Sequence, residues 1–356
     1  PGNQNFASYQ AFSTYAFTHW MSNVFGSGVI LDGLGNPDLA WQETINYNIG
    51  SDITMLGEKV NLTVDLFRKS TDPLVAAITT PSSIGVRSVM MNMGQLNTNG
   101  VEVALRVSPI YRPKERFVWN ISANMIHAKS EYSNIGNSLN SMNEQNRENL
   151  NTVRYYDGGS PTDIWAVRSK GIDPATGKDL FLRKDGTYTF TYYKEDEVVV
   201  GNTEPKLEGV LGTTLYYKGF SFGCYLRYRI GGQIFNSALY QKVENIDREG
   251  VNYNQDRRAL YDRWSAPGDE AKFKRISLFQ TTESSSRFVM DENTLTGESF
   301  NIGYEFTQPF IKRAGLTALA VQANMNDIFR ASSVRTERGI DYPFARTVSF
   351  SISVTF

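Results

Sequence analysis

The sequence has very little of what most enzymes and disulfide-stabilised domains rely on. Its only cysteine is Cys224, which excludes an internal disulfide, and its only histidines are His19 and His127. Cysteine and histidine therefore show no zinc-like spacing, and no serine lies in a Gly-x-Ser-x-Gly motif. We expect a protein that is not an enzyme, with no catalytic residues, no metal and no cofactor.

An excess of charge of one sign is missing too, and so are long apolar runs. The 36 basic and 37 acidic residues give a formal net charge of −1, which provides no overall attraction for nucleic acid. No apolar run approaches the roughly 18 residues that a membrane-spanning helix needs. The length of 356 residues allows two soluble domains or one large all-β unit, so length alone does not decide the fold.

What the sequence does contain is a two-residue alternation, which is clearest in residues 344–356. One face of an extended strand carries Phe344, Arg346, Val348, Phe350, Ile352, Val354 and Phe356. The residues between them are small and mostly polar. A tilted strand climbs about 2.5 Å per residue, so the two terminal phenylalanines lie roughly 30 Å apart in height, which fits two aromatic girdles. The segment is typical of the last strand of a transmembrane β-barrel.

The same alternation recurs along the chain and predicts an all-β fold, a transmembrane antiparallel β-barrel. About ten strands are expected, over residues 6–17, 41–54, 59–69, 98–107, 116–128, 207–217, 219–230, 295–306, 316–326 and 344–356. Arg227 and Arg229 fall on the polar face of their strand. Because a charge facing lipid at the membrane midplane costs about 2–4 kcal/mol, we expect this face to point into the barrel lumen.

The connections between the predicted strands alternate in length. Short links are expected at 56–59, 109–115, 217–219 and 308–315, and long polar links near 72–96, 129–205, 231–293 and 327–342. Outer-membrane barrels have short periplasmic turns and long extracellular loops, so the long links are assigned to the extracellular side. Residues 162–200 contain short strand-like runs broken by turn residues, and they are expected to fold outside the membrane without adding a wall strand.

Six stretches of the sequence resemble segments of a known protein family, and they follow one another in the same order as in that family. They include Asn-Pro-Asp-Leu-Ala-Trp within 36–50, Gly-Ile-Asp-Pro-Ala-Thr-Gly at 171–177 and Arg-Trp-Ser-Ala-Pro-Gly-Asp at 263–269. The others are 99–102, 201–206 and 326–356. Together they resemble the C-terminal part of the barrel of SusC/RagA-type TonB-dependent outer-membrane transporters of Bacteroidota.

The resemblance implies a barrel of about 22 strands around an N-terminal plug. Residues 1–356 would supply about ten C-terminal strands, and we expect the plug, the remaining strands and the TonB-contacting region to be absent from this chain. It also implies a bacterial outer-membrane location, with membrane lipid around the wall. The implied function is import of oligosaccharides or oligopeptides with a SusD/RagB-like lipoprotein. No nucleic-acid partner is expected.

Candidate ligand-binding residues lie on the long links and on the polar wall face. They are Tyr155, Tyr156, Asp157, Trp165, Tyr192, Tyr193, Arg227 and Arg229. Alternatively, the rings pack the loops together or contact the lipoprotein, and the arginines form salt bridges within the wall. Glu195, Asp196 and Glu197 are expected to be solvated loop charges rather than a cation site.

Two other functions and one assembly role remain to be weighed. A passive porin shares the barrel, and a secreted carbohydrate-binding β-sandwich shares alternating strands and exposed aromatics. Long strands with alternating link lengths favour the barrel, whereas the preference over a porin rests on the resemblance. Phe356 is predicted to be the signal by which the barrel-assembly machinery receives its substrate. The alternative is that it is simply one aromatic residue of the girdle.

Overall fold

The computed structural model describes residues 11–23, 26–149, 151–246, 248–252, 255–277, 279–306, 311, 313, 315–335 and 346–356, which are mostly β. The strands are β1 (Thr14–Asn23), β2 (Gly26–Gly33), β3 (Glu43–Met55), β4 (Val60–Asp72), β5 (Leu74–Thr79), β6 (Ser88–Met93), β7 (Gln95–Arg112), β8 (Phe117–Ser133), β9 (Asp163–Ile172), β10 (Asp179–Leu182), β11 (Tyr188–Thr189), β12 (Glu197–Asn202), β13 (Leu207–Tyr217), β14 (Phe220–Phe235), β15 (Val289–Phe306), β16 (Ala318–Ser332) and β17 (Val348–Thr355).

Helical structure is confined to short segments in the described residues. Helix α1 covers Asn140–Glu148, and a π-helical segment covers Leu239–Glu244. Turns of 3-10 helix lie at Ser82–Ile84, Pro113–Glu115, Lys194–Asp196, Gly250–Asn252, Arg257–Leu260 and Ser286–Phe288. None of the described helices combines the length and the apolar character needed to cross a membrane.

Nine strands hydrogen-bond side by side in one sheet, in the order β17-β16-β15-β14-β13-β8-β7-β4-β3. The neighbours from β8 to β17 pair antiparallel. Aromatic and β-branched side chains at alternate positions favour this extended backbone, because they pack against cross-strand neighbours on the same face. On β13 and β14, for example, Leu215 lies opposite Phe222. Each of the nine strands overlaps one that the alternation predicts after residue 40.

The first predicted strand, over 6–17, is wrong as a member of this sheet. Its last four residues begin β1, which pairs with β2 in a separate two-stranded sheet. Tyr15 lies opposite Leu31 and Phe17 opposite Val29. Residues 6–10 lie outside the described residues. The alternation identified an extended segment correctly but carried no information about which strand it pairs with.

Two wall strands continue past the points where turn residues predicted their ends. Gly231, with a φ of +79°, lies in a bulge of β14, after which Gly232 to Phe235 pair again with β15. Asp327, with a φ of +50°, lies in a bulge of β16, and pairing resumes where Phe329 faces Gly297. A bulge accommodates an extra residue without ending the ladder. The long connections are therefore shorter than predicted.

Two of the three described short links lie where they were predicted, and the third is shorter than predicted. The β3–β4 turn lies at 56–59, and the β13–β14 turn consists of Lys218 and Gly219. The link at 109–115 is shorter than expected, because β7 runs to Arg112 and only the turn Pro113–Glu115 and Arg116 separate it from β8. Most of the fourth link, 308–315, lies outside the described residues.

Two of the long connections fold into sheets of their own. Strands β9 to β12 form a four-stranded sheet in the order β11-β10-β9-β12, so they add no strand to the nine-stranded sheet, as predicted. Strands β5 and β6 form a hairpin that the sequence did not predict, with Leu74 opposite Met93 and Thr79 opposite Ser88.

The chain divides into two compact units. Unit 1 comprises Pro1–Asn48, Phe67–Asn99 and Lys129–Trp165, and unit 2 comprises Ile49–Leu66, Gly100–Ala128 and Ala166–Phe356. The core of unit 1 contains Ile78, Met93, Ile135 and Leu139. The core of unit 2 contains Leu239, Tyr240, Val243, Ile246, Ala259, Phe273 and Phe288. Both cores belong to the connections that were predicted as long links, rather than to the nine-stranded sheet.

Candidate functional site

The edge strands of the nine-stranded sheet expose their apolar rows. On β17 Phe350 is 77% exposed and Ile352 is 70% exposed, and on β3 Ile49 is 77% exposed. Soluble monomeric proteins rarely leave contiguous apolar rows of this kind in water. Rows of large apolar side chains on one face of a strand suit contact with lipid, as on the outside of a membrane barrel.

The opposite face of the sheet carries charges that pair with one another. The Arg227 guanidinium binds both carboxylate oxygens of Glu298, and its Nη1 lies 3.7 Å from Glu208 Oε1. The neighbouring Arg229 donates from Nε to Glu208 Oε2 at 3.2 Å. All four side chains are partly exposed. The two predicted arginines therefore take part in salt bridges within the wall, and a ligand contact by either remains a prediction.

A bulge in β15 explains how Glu298 reaches Arg227. The registers with both neighbouring strands shift between Gly297 and Ser299, so Glu298 has no residue opposite it in either ladder. Such a bulge changes the direction of one side chain without disturbing the strand beyond it. Because a bulge leaves only a weak trace in a hydrophobic pattern, the sequence did not identify Glu298 as a partner of Arg227.

A small groove of about 320 Å³ lies on this polar face. Its charged lining residues are Asp65, Glu102, Glu208 and Arg227, and Asn124 is a further polar residue of the lining. Three carboxylates and one guanidinium make the groove acidic on balance. Polar groups on a wall face of this kind can contact a passing ligand or another segment of the same protein.

The predicted aromatic residues at 155, 156 and 165 pack against other rings of unit 1. Tyr155 lies against the core of this unit, with its ring centroid 5.8 Å from that of Tyr132. Tyr156 and Trp165 are 5.1 Å apart between ring centroids, so the structure brings these two predicted residues together. The indole N–H of Trp165 is buried and has no hydrogen-bond partner among the described residues. It is therefore a donor that a ligand or an ordered water can satisfy.

Asp157 has a structural task in the same unit. Its two carboxylate oxygens accept the backbone N–H groups of Ile135 at 2.8 Å and of Gly136 at 3.0 Å. Two such bonds fix the turn that follows β8. The structure therefore favours the loop-packing alternative for Asp157, and ligand binding by this residue has no independent support.

Tyr192 and Tyr193 do not act as a pair. The ring of Tyr192 packs edge-on against Phe181 at 5.4 Å, whereas Tyr193 is 42% exposed and lies 5.0 Å from the Arg183 guanidinium. Arg183 also donates from Nε to Asp196 at 3.2 Å, and this hydrogen bond raises the pKa of the guanidinium. Asp196 and Glu197 are both buried, so the expectation of solvated charges is wrong at these two positions.

A buried ion cluster in unit 2 was not predicted from the sequence. Arg287 donates to Asp179 Oδ2 at 2.9 Å and to both oxygens of Glu244, at 2.9 and 3.1 Å. The Asp179 and Glu244 side chains are 1% and 0% exposed. Burial lowers the pKa of Arg287, but its hydrogen bonds with Glu244 and the charges of both carboxylates outweigh this effect, so the net pKa is raised. The cluster connects three segments that lie far apart in the sequence.

Two of the motifs quoted above dock on each other. Trp264 donates from Nε1 to the carbonyl of Pro174 at 2.8 Å, and Gly268 donates its backbone N–H to the same oxygen at 2.9 Å. A Cβ at Gly177 would lie 2.4 Å from the Trp264 ring, so only glycine fits there. Asp269 stabilises the turn of the second motif, because its Oδ2 accepts a hydrogen bond from Ser265 Oγ at 2.6 Å.

Beside the ion cluster, the connections of unit 2 form a partly open cavity of about 650 Å³. Its lining residues come from 177–179, from Phe190 and Glu244, and from 274–277 and 280–282. This volume lies within the range of about 300–1,000 Å³ that is typical of ligand sites.

Phe356, the remaining predicted residue, is 89% exposed beyond the end of β17, and its assembly role stays a prediction.

Comparison with known proteins identifies the family to which this wall belongs. A family model described as a TonB dependent receptor-like β-barrel matches residues 2–246. The chain belongs to this family. Its members are proteins of the bacterial outer membrane, which is the location predicted from the sequence. Membership excludes the alternative of a secreted β-sandwich.

Individual members of the TonB-dependent receptor family are similar over nearly the whole chain. TonB-dependent receptor P39 of Formosa agariphila is 23% identical over 92% of this chain and 35% of its own length. TonB-dependent receptor SusC of Bacteroides thetaiotaomicron is 24% identical over 90% of this chain and 32% of its own length. The chain therefore spans about a third of the length of these curated relatives.

Solved structures show the same fold. The RagAB peptide transporter superposes with a TM-score of 0.82 at 18% identity, covering 100% of this chain and 39% of that chain. The RagAB peptide importer in its closed-closed state gives a TM-score of 0.82 at 20% identity, over 100% and 40% of the two chains. The predicted resemblance to SusC and RagA is thus confirmed.

Proposed function

We propose that this chain forms a C-terminal part of the barrel wall of a TonB-dependent transporter that imports oligosaccharides or oligopeptides. The nine-stranded sheet, with apolar rows on one face and paired charges on the other, carries the proposal. In this proposal the nine strands belong to a closed barrel of about 22, and the other strands and the plug come from other parts of the same transporter. Transport, rather than catalysis, is the activity.

Pairing requirements support a larger wall. The edge strands β3 and β17 each have a neighbour on one side only within the described sheet. Backbone groups left unpaired in lipid cost several kcal/mol each, so a membrane wall needs strands beyond both edges. The similarity to transporters of which this chain covers about a third agrees with that requirement.

We propose a SusD/RagB-like lipoprotein as the partner on the side of the long connections. The RagAB complexes, to which the fold is similar, support this assignment. The three long connections that the structure largely describes, which join β4 to β7, β8 to β13 and β14 to β15, leave the sheet at the same ends of their strands and carry their own packed cores. Folded loops of this kind give a partner or a ligand a defined surface to bind.

Uptake in living cells tests the proposed function. Import of labelled oligosaccharides and oligopeptides of graded length is measured in cells that carry the complete transporter, with and without a functional TonB protein. Import that requires TonB is expected, and loss of the lipoprotein should reduce it. Import that is unchanged without TonB would contradict the proposal and favour the passive porin.

A further inference from the structure

The unit 2 cavity described above has an unusual charge distribution. Its lining includes three basic residues, Lys178, Lys274 and Arg275, and two acidic residues, Asp179 and Glu244. The two carboxylates lie deep in the wall of the cavity and are already bound by Arg287. Arg287 therefore neutralises much of their negative charge, and the basic residues dominate the open part of the cavity.

The three basic side chains have no acidic partner of their own. Within the described ranges none of them forms an ion pair, and Lys178 and Arg275 are exposed. Lysine and arginine bind carboxylate, sulfate and phosphate groups through charge-assisted hydrogen bonds, and arginine does so with a two-pronged geometry. Three unpaired cations around one cavity form a site for an anionic group.

The remaining lining residues fit a sugar chain better than a peptide. Phe190 is 48% exposed and lines the cavity together with the polar residues Gln280 and Thr281. A flat aromatic ring can cover the apolar face of a sugar ring, while amide and hydroxyl groups bind its hydroxyls. Asp179, the lining residue that belongs to a strand, lies on β10, which is paired on both sides with β9 and β11, so it offers no free edge to which an extended peptide could add.

We propose that this cavity binds an acidic oligosaccharide, with its carboxylate or sulfate group between Lys178, Lys274 and Arg275 and a sugar ring on Phe190. This inference rests on the proposed import function and specifies its substrate class. The buried ion cluster has a defined part in the site, because Arg287 prevents Asp179 and Glu244 from repelling the anion.

Equilibrium binding to the complete, purified transporter tests the inference without requiring energised transport. The probes are tetragalacturonate, a sulfated heparin tetrasaccharide, neutral maltotetraose and tetraglutamate. We expect one or both acidic saccharides to bind more tightly than the other two probes and to bind more weakly as salt is raised. The variant K274Q/R275Q should weaken this binding about tenfold. The control K170Q/K194Q removes two exposed charges outside the cavity and should change the binding less than about twofold.

A second variant separates the aromatic contact from the charges. Phe190→Ala should weaken saccharide binding severalfold and leave any tetraglutamate binding unchanged. Binding of neither acidic saccharide, tighter binding of tetraglutamate, or equal losses in the cavity variant and its control would each overturn the inference. TonB-dependent uptake without a preference for acidic saccharides would overturn this inference alone, whereas acidic binding with TonB-independent uptake would overturn the import proposal alone.

Discussion

Replacement of Arg287 by methionine is expected to loosen the connections of unit 2 while leaving the nine-stranded sheet in place. Arg287 is 11% exposed, and it neutralises Asp179 and Glu244, which are almost completely buried. Methionine fills a similar volume but carries no charge. The variant would therefore keep two buried carboxylates close together without the cation that offsets their desolvation.

The size of the effect follows from the burial of the cluster. Removing one partner of a buried ion pair costs about 3–5 kcal/mol, whereas an exposed pair contributes about 0–1 kcal/mol. Here one guanidinium serves two carboxylates, and the hydroxyl of Thr282 is the further donor to Glu244. We therefore expect a loss of about 3–5 kcal/mol in the free energy of opening of these connections, which raises their opening constant by about two to four orders of magnitude.

Hydrogen–deuterium exchange on the complete transporter measures the opening directly. Exchange should increase in peptides from β10, the Leu239–Glu244 segment and residues 272–288, and it should stay unchanged in β13 and β14. Arg257→Met is a matched control, because Arg257 is an exposed arginine of the same unit. The triple variant D179N/E244Q/R287M should recover part of the protection, since it removes the unpaired charges as well as the cation.

Two results would refute this reasoning. Exchange in Arg287→Met at the level of Arg257→Met would mean that the ion cluster does not hold the connections together. Alternatively, the triple variant could be as open as Arg287→Met, which would mean that the lost guanidinium bonds, rather than uncompensated carboxylates, dominate the free-energy change.

Four further predictions concern topology, docking and assembly. An impermeant thiol reagent applied to intact cells, in a Cys224→Ser background, should label cysteines at Asn137 and Asn252 but not at Lys59 or Lys114; labelling at either lysine position would contradict the orientation. Gly177→Ala should destabilise the docked motifs by at least about 1 kcal/mol, seen as a change in Trp264 fluorescence, because of the ring contact and the φ of +68°. Hydrogen bonds from Ser265 and Ala266 lower the pKa of Asp269, so the docking should persist above about pH 4 and weaken below it, and Asp269→Asn should abolish this pH dependence. Phe356→Ala in the complete transporter should reduce surface abundance, and normal abundance would leave Phe356 as one aromatic of the girdle.

The wall could be predicted from the sequence because its physical constraint is local. A strand with one face in lipid and one in a polar lumen must alternate residue by residue, and β13 to β17 do so. The short links also depend on a local constraint, the backbone conformation of a tight turn. In the β13–β14 turn, for example, Lys218 and Gly219 both adopt positive φ. The predicted strand ends were wrong at Gly231 and Asp327. These turn-type residues form bulges, and strand pairing continues beyond them.

The candidate site was harder to predict because its contacts join residues that are distant in the chain. Asp179 and Arg287 are 108 residues apart, and Glu244 and Arg287 are 43 apart. No periodicity relates such positions, and each charge alone resembles a solvated loop residue. The aromatic clusters gave a partial indication: Tyr156 and Trp165 do meet, but Tyr155 and Tyr192 pack inward, and the exposed ring at the cavity is Phe190.

The ion cluster and the basic cavity form one electrostatic unit, because Asp179 and Glu244 belong to both. With Arg287 in place, each carboxylate is paired with the guanidinium, and the unpaired charges that line the cavity are those of its basic residues. Without Arg287, the negative charges of Asp179 and Glu244 would line the space that the anion occupies, and Arg263, which interacts with Glu244, would offset them only in part. Arg287→Met should therefore weaken binding of an acidic saccharide even under conditions where the connections remain folded. Asp179→Asn, which removes an anion from the same wall, should retain binding better than Arg287→Met does. Because loosening of the loops would give the same order, the two variants are compared under conditions in which hydrogen–deuterium exchange finds the connections equally protected, and equal affinities there would contradict the role of charge.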